Sequence, residues 1–131
     1  MRQFPTEMTG CVLALMVYSL LEVVSAQFTT VATTGDAATG THKYNGVGVV
    51  GTKVYFTPYK QNNVGVVDTA GSGTFSTIAT TGDAQSGAYK YGGAAAVATK
   101  VYFGPGNQNN VGVLDTAGGG GFSTIATTGD A

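Results

Sequence analysis

The chain is poor in several residue types, and each scarcity excludes a class of protein. Its 131 residues include one cysteine and no tryptophan, and only 10% of them are charged, with a formal net charge of −1. A nucleic-acid-binding protein normally carries a basic stripe, which the six Lys and Arg residues, spread singly, do not form. We therefore expect no nucleic-acid partner and, at this length, at most one small domain.

Glycine is abundant, together with threonine, valine and alanine. The 21 glycines indicate many turns, and valine and threonine favour strands. The composition therefore predicts a near-neutral, β-rich chain.

Residues 1–26 differ from the rest and are typical of a secretory signal peptide. Arg2 gives a weakly positive start, residues 11–21 (CVLALMVYSLL) form an apolar run, and Val24, Ser25 and Ala26 offer small residues for cleavage. A retained membrane anchor is the alternative, but a span needs about 20 apolar residues and Glu22 interrupts the run. We expect a secreted or cell-surface protein without a stable membrane span after cleavage. Cleavage after Ala26 would also remove the only cysteine, Cys11, so no disulfide is expected.

The remaining sequence is an internal repeat. FTTVATTGDA at 28–37 recurs as FSTIATTGDA at 75–84 and again at 122–131, a period of 47 residues. Periods of this length indicate solenoids, propellers or arrays. We therefore divide the chain into the signal peptide (1–26), an orphan outer strand (27–37), a first repeat (38–84) and a second repeat (85–131).

Each repeat contains four strand patterns separated by turn residues. In the first repeat they cover 44–50, 53–57, 64–68 and 75–80, and the first strand of the second repeat covers 91–97. Val54 and Phe56 are predicted on one face of the second strand, with Tyr55 on the other. The glycines and alanines of the first strand leave little bulk, as crowding near an axis requires. Residues 57–62 form the connection between the second and third strands, with Pro58 at a strand end because proline has no ladder donor.

The order VGTKVYF, NNVGVVDTA, TFSTIA resembles a kelch-type propeller blade and is also similar to virginiamycin B lyase-like and NHL-type blades. The resemblance covers both repeats and implies an all-β fold. The implied fold consists of two four-stranded antiparallel blades plus the orphan outer strand, and it is part of a larger propeller. Thr57-Pro58 and Gly104-Pro105 replace the kelch glycine pair, and Phe75 and Phe122 stand where the outer strand usually has tryptophan. The lyase activity would need a histidine–glutamate pair, and the predicted mature chain contains no glutamate.

A propeller closes with roughly four to eight blades, and this chain has two. Two explanations stay open. The sequence is a fragment of a longer propeller, or several copies assemble one ring as a homo-oligomer, resembling small two-repeat fucose-binding lectins.

In a blade of this type, the connections between blades and the loop between the second and third strands lie on one rim. The candidate ligand-binding residues on that rim are Tyr59, Gln61, Asn62, Asn63, Gln108, Asn109 and Asn110. A wider set on the same rim adds Asp36, His42, Lys43, Lys60, Asp83, Tyr89, Lys90 and Asn107. Amide and aromatic side chains bind sugar hydroxyls or peptides. The alternative is that these amides serve the backbone of their own turns.

No catalytic residue, cofactor or metal site is expected. His42 is the only histidine and has no cysteine or carboxylate cluster to complete a zinc site. The recurring Asp36, Asp83 and Asp130 suit tight turns, and the run Gly118–Gly121 lacks the Lys-Ser/Thr of a phosphate loop. We therefore expect a non-enzymatic binding module for a protein or glycan ligand. A self-assembling propeller lectin and the remnant of a propeller enzyme such as a lyase are the alternatives.

Overall fold

The computed structural model describes residues 27–71 and 73–129. The predicted signal peptide (1–26) and Asp130 lie outside these residues. The chain divides into two units, Met1–Thr30 and Val31–Ala131. Residues 27–30 of the first unit are exposed and belong to no helix or strand. Among the described residues, all sheet structure belongs to the second unit.

The alternating sequence of each repeat forms one four-stranded sheet. The first sheet contains β1 (Tyr44–Val50), β2 (Lys53–Pro58), β3 (Asn63–Asp68) and β4 (Thr74–Ala79). The second contains β5 (Tyr91–Val97), β6 (Lys100–Pro105), β7 (Asn110–Asp115) and β8 (Gly121–Ala126). Within each sheet the strands follow chain order and neighbours run antiparallel.

The predicted fold class is therefore confirmed: the protein is all-β, with two four-stranded antiparallel sheets of the propeller-blade type. The described residues contain no α-helix, only 3₁₀ turns at Gly35–Ala38, Gly82–Gln85 and Ala117–Gly119. No helix in the described part is long and apolar enough to cross a membrane. Residues 31–34, within the predicted orphan strand, have no ladder partner among the described residues and are assigned to no sheet.

The strand boundaries differ from the predicted ones by at most one residue. The first strand of each repeat has the predicted bounds. β2 extends by one residue to Pro58, which lies opposite Tyr44 at the strand end. β3 begins at Asn63 because its backbone pairs with Ala79. The predicted connection 57–62 is thus shortened to 59–62.

The two sheets pack face to face, and the core lies between them. The first sheet contributes its covering face, which consists of Gly48, Tyr55, Val64, Val66 and Ile78. The second sheet contributes its receiving face, which consists of Ala94, Val101, Phe103, Leu114 and Phe122. Burial of these apolar side chains is the main stabilising term of the fold.

The first strands of the two sheets approach closely, as their small residues predict. A Cβ atom on Gly48 would lie 2.8 Å from Cγ1 of Val101, and one on Gly46 would lie 2.9 Å from the Cα atom of Gly93. Neither distance accommodates a side chain, so glycine is required at Gly46 by the contact of β1 with β5 and at Gly48 by its contact with β6.

Each sheet also has an aromatic trio around a central glycine. Tyr91, Phe103 and Phe122 surround Gly112 in the second sheet, where a Cβ would lie 2.9 Å from Cζ of Phe122. This trio is buried beneath the first sheet. The equivalent trio of the first sheet, Tyr44, Phe56 and Phe75 around Gly65, lies on the opposite face from the core and is only half-buried.

Candidate ligand-binding rim

In each repeat, the connection between the second and third strands meets the segment that precedes the first strand, at one edge of the sheet. The backbone N–H groups of Tyr59, Lys60 and Gln61 donate to the carbonyl of Lys43 over 3.0, 3.2 and 3.4 Å. In the second repeat the N–H of Gly106 donates to the carbonyl of Lys90 over 2.7 Å. The structure therefore brings the predicted rim segments together.

The two rim glutamines hold these connections in place. Nε2 of Gln61 donates to the carbonyl of Asp36 over 3.2 Å, and Nε2 of Gln108 donates to the carbonyl of Ser86 over 3.3 Å. Asp36 lies in the 3₁₀ turn Gly35–Ala38 and Ser86 directly follows the turn Gly82–Gln85, so each glutamine ties the strand connection of its repeat to the segment around the preceding 3₁₀ turn. Their amide nitrogens therefore serve backbone carbonyls of a distant segment and not those of their own turns.

Asn63 and Asn110 lie inside the sheets at the first residue of β3 and β7, and both side chains are buried. Oδ1 of Asn63 accepts a 2.5 Å hydrogen bond from the hydroxyl of Tyr44, and Oδ1 of Asn110 accepts one of 2.6 Å from Tyr91. Burial raises the pKa of both tyrosine hydroxyls to about 12. These two amides therefore link strands within a sheet.

Lys90 is the least expected residue of the rim because its side chain is fully buried. Nζ donates to Oδ1 of Asn62 over 3.0 Å and to the carbonyl of Gly87 over 2.9 Å. Burial lowers the pKa of Lys90, and the two acceptors offset part of the cost of removing its charge from water. The sequence gives no signal for this burial, since Lys90 stands between two tyrosines in an otherwise polar connection.

Two tyrosines and a lysine of the rim, Tyr59, Lys60 and Tyr89, form a cluster that we call the aromatic rim; Tyr89 is exposed and the other two are half-buried. The rings of Tyr59 and Tyr89 meet edge to face, with centroids 4.9 Å apart. Nζ of Lys60 lies 5.0 Å from the centroid of Tyr89, within cation–π range. Tyr89 has a positive φ of 59°, a region that is unfavourable for residues other than glycine.

A cleft of about 660 Å³ lies on the second repeat at the same rim. It is lined by Pro105, Gly106, Asn107, Gln108, Asn109, Thr127 and Gly129. The matching position on the first repeat, beside Asn62 and Thr80, is filled by the buried Lys90 and the 3₁₀ turn Gly82–Gln85. The cleft therefore has the form of a site for a connecting segment.

The remaining polar groups are dispersed. His42 is exposed, with a φ of 52°, and occupies the position in the first repeat that Tyr89 has in the second. Among the described residues no three His, Cys, Asp or Glu side chains are grouped so that they could hold a metal ion. Asp36 and Asp83 lie in 3₁₀ turns, as their Gly-Asp context predicts.

Comparison of the chain with protein-family models, with curated proteins and with solved structures finds no match. The fold defines the chain as an all-β protein of two blade-like sheets, and the resemblance to kelch-like and related propeller repeats stays a prediction.

Proposed function

We propose that the protein is a non-enzymatic binding module built of kelch-like propeller repeats, which contacts its ligand through the aromatic rim. The observation that carries this proposal is the edge-to-face pair of Tyr59 and Tyr89, in which the residue Tyr89 is 42% exposed. Exposed aromatic rings beside amide groups offer stacking surfaces and hydrogen bonds to sugars or peptides.

The backbone of Tyr89 supports a role beyond folding. A left-handed conformation costs a non-glycine residue about 1–2 kcal/mol, and strain of this kind clusters at binding sites. Glycine would remove the strain but also the ring. The N–H of Asn107 donates a 2.9 Å hydrogen bond to the carbonyl of Tyr89, and this bond holds Tyr89 in the left-handed conformation.

Among the seven predicted site residues, Tyr59 and Asn109 have the side chains that best suit ligand contact: Tyr59 belongs to the aromatic rim, and the exposed side chain of Asn109 lines the cleft. Asn62 is also exposed, but its Oδ1 accepts the hydrogen bond from Nζ of Lys90. Gln61 and Gln108 hold connections, and Asn63 and Asn110 are buried with their Oδ1 atoms occupied. A direct ligand contact by these four would require their hydrogen bonds to break.

The test is a binding screen on immobilised glycan and peptide arrays, with multivalent display of the protein. We expect specific binding on one array, and Tyr89→Ala should weaken it at least about tenfold, the loss of one good aromatic contact. Lys53→Ala, an exposed change on β2 away from the rim, is the matched control. Absence of binding on both arrays would overturn the proposal, as would equal binding by the Tyr89→Ala variant.

We also propose that residues 1–26 direct the protein to secretion and are removed after Ala26. The support is the apolar run followed by small residues. Expression of the full chain with its own amino terminus, followed by mass spectrometry of the secreted protein, should give a first residue of Gln27. Retention of Met1 in a membrane fraction would show an anchor instead.

A further inference from the structure

The face of the first sheet that points away from the core closely resembles the receiving face of the second sheet, with Val47 in place of Ala94. Val54, Phe56 and Phe75 stand at the positions of Val101, Phe103 and Phe122, and Val67 stands at that of Leu114. Phe103 is fully buried by the first sheet, whereas Phe56 and Phe75 are half-buried and Val47 beside them is 49% exposed. We call this surface the open receiving face.

The reciprocal relation holds on the second sheet. The covering face of the first sheet has counterparts at Tyr102, Val111, Val113 and Ile125 on the outer side of the second sheet, and each of these is the same residue type. Tyr55 is buried in the core but Tyr102 is half-buried, and Ile125 is 55% exposed. We call this surface the open covering face.

We propose that a second copy of this chain docks head to tail, its open covering face on the open receiving face of the first. The interface would repeat, between chains, the contact that already joins the two sheets within one chain. Such a contact is heterologous, since it uses two different surfaces of the molecule. It continues the internal sheet stack, so with two sheets per copy, two to four copies complete a ring of roughly four to eight blades.

The cleft on the second repeat supports the same partner. Within the chain, Lys90 fills the equivalent position and binds Oδ1 of Asn62. In the docked pair, Lys43 of the chain that offers its open receiving face takes the place of Lys90, and Asn109 of the incoming chain takes that of Asn62. Lys43 is half-buried and its Nζ makes no hydrogen bond to the described residues, while Asn109 lines the cleft. The two open faces and the cleft therefore indicate the same head-to-tail arrangement of two chains.

One segment of the chain competes with the partner. A Cβ on Gly73 would lie 3.7 Å from Cγ2 of Val31, and a Cβ on Gly120 would lie 3.4 Å from Cδ1 of Ile78. Val31 therefore occupies, beside the first sheet, the position that Ile125 of an incoming copy would take. Docking of the complete second sheet has to displace Val31, so this segment limits the affinity.

The internal interface and the proposed one differ at a few contacts, since Val47 and Val67 replace Ala94 and Leu114, and the closest of these contacts involves Gly48. Gly48, which admits Val101 at close range within the chain, has Ala95 as its counterpart on the open covering face. In the docked pair the methyl group of Ala95 meets Val54, the counterpart of Val101. The interface between chains is thus expected to be wider at this point and weaker than the internal one.

The test uses the two-sided nature of the contact. Val47→Lys places a charge on the open receiving face, and Ile125→Lys places one on the open covering face; both sites are exposed enough for the monomer to fold. Each variant alone should weaken association at least about a hundredfold, because an unpaired charge would be buried. Thr99→Lys adds the same charge on the exposed β5–β6 turn and should leave association unchanged.

A 1:1 mixture of the two lysine variants gives the decisive result. The Val47→Lys chain keeps an intact open covering face, and the Ile125→Lys chain keeps an intact open receiving face, so the mixture should form heterodimers and no larger species. Light scattering should show masses above that of one chain for the wild type, monomers for each variant, and dimers for the mixture. Lys43→Met should weaken wild-type association about tenfold, and Val31→Ser should strengthen it.

Three outcomes would overturn the proposal. They are a wild-type chain that stays monomeric at every concentration, lysine variants that associate as well as the wild type, and a mixture that stays monomeric although the wild type associates. Circular dichroism of each variant establishes that the monomers are folded, so loss of association cannot be attributed to unfolding.

Discussion

The hydroxyl of Tyr91 donates a 2.6 Å hydrogen bond to Oδ1 of Asn110, and both side chains are buried. Tyr91 begins β5 and Asn110 begins β7, so the bond joins two strands that are separated by β6. The first repeat has the same bond between Tyr44 and Asn63. A side-chain bond that spans three strands fixes the edge of the sheet where the rim connections leave it.

Because of the Tyr91 hydroxyl, the free energy of unfolding should decrease at alkaline pH. Burial raises its pKa to about 12, above the value of about 10 in an unfolded chain. The contribution is therefore complete below pH 10 and is lost as the pH rises through 12, with a size of about 3 kcal/mol. Denaturant unfolding as a function of pH, together with tyrosinate absorbance, measures this loss.

Tyr91→Phe should reduce that alkaline loss but not remove it, since Tyr44 has a raised pKa of its own. At neutral pH the variant should lose about 1–3 kcal/mol, because Oδ1 of Asn110 is left buried without its donor. Tyr102→Phe is the control, since no side-chain hydrogen bond of Tyr102 is found among the described residues. An unchanged alkaline profile for Tyr91→Phe would show that this hydroxyl does not titrate on unfolding.

The two strand phenylalanines should differ in their contribution to stability. Phe103 is fully buried between the sheets, so Phe103→Ala should lower the free energy of unfolding by about 3–5 kcal/mol. Phe56 has the same sequence context but is half-buried on the open receiving face, so Phe56→Ala should cost the monomer about half as much. Chemical denaturation at a concentration where the chain is monomeric measures both, and equal losses would contradict the inferred exposure of this face.

Gly48 should be intolerant of any side chain. An alanine Cβ would lie 2.8 Å from Cγ1 of Val101, so the sheets must separate, at a cost of about 1–3 kcal/mol. Gly92→Ala is the matched control, because a Cβ there meets nothing within 4 Å and the φ of Gly92 lies outside the left-handed range. Thermal unfolding should show a loss for Gly48→Ala only; a neutral result would mean that Gly48 of β1 and Val101 of β6 are farther apart than the 2.8 Å contact requires.

The strands were predictable from the sequence because apolar residues that alternate along a half-buried strand specify both its position and its faces. Val54 and Phe56 do share a face, with Tyr55 on the other. The pattern does not predict which face meets the neighbouring sheet, since both faces of β2 are apolar.

The hydrogen bonds of the rim could not be predicted from the sequence pattern either. The hydrogen bonds of Gln61 and Lys90 join residues far apart in sequence, and a polar residue in a turn looks the same whether it faces solvent or another segment.

The turns between the first two strands of each repeat offer a prediction with an internal control. Gly51 has a φ of 58° and its counterpart Ala98 has a φ of 51°. Glycine adopts this conformation without strain, whereas an alanine Cβ is crowded by the backbone. Ala98→Gly should therefore raise the free energy of unfolding by about 0.5–1 kcal/mol, since the relief of strain exceeds the added flexibility of the unfolded chain.

Gly51→Ala should have the opposite effect, a loss of about 1 kcal/mol in the free energy of unfolding. A Cβ at that position meets no neighbour within 4 Å, so the loss comes only from the strain of alanine in a left-handed conformation. Both changes lie in an exposed turn, away from the rim and from the core between the sheets. Denaturant unfolding of the two single variants and of the double variant measures them. Because the turns lie in separate sheets, the effects should add to within about 0.5 kcal/mol, and a loss of stability in Ala98→Gly would contradict the left-handed turn.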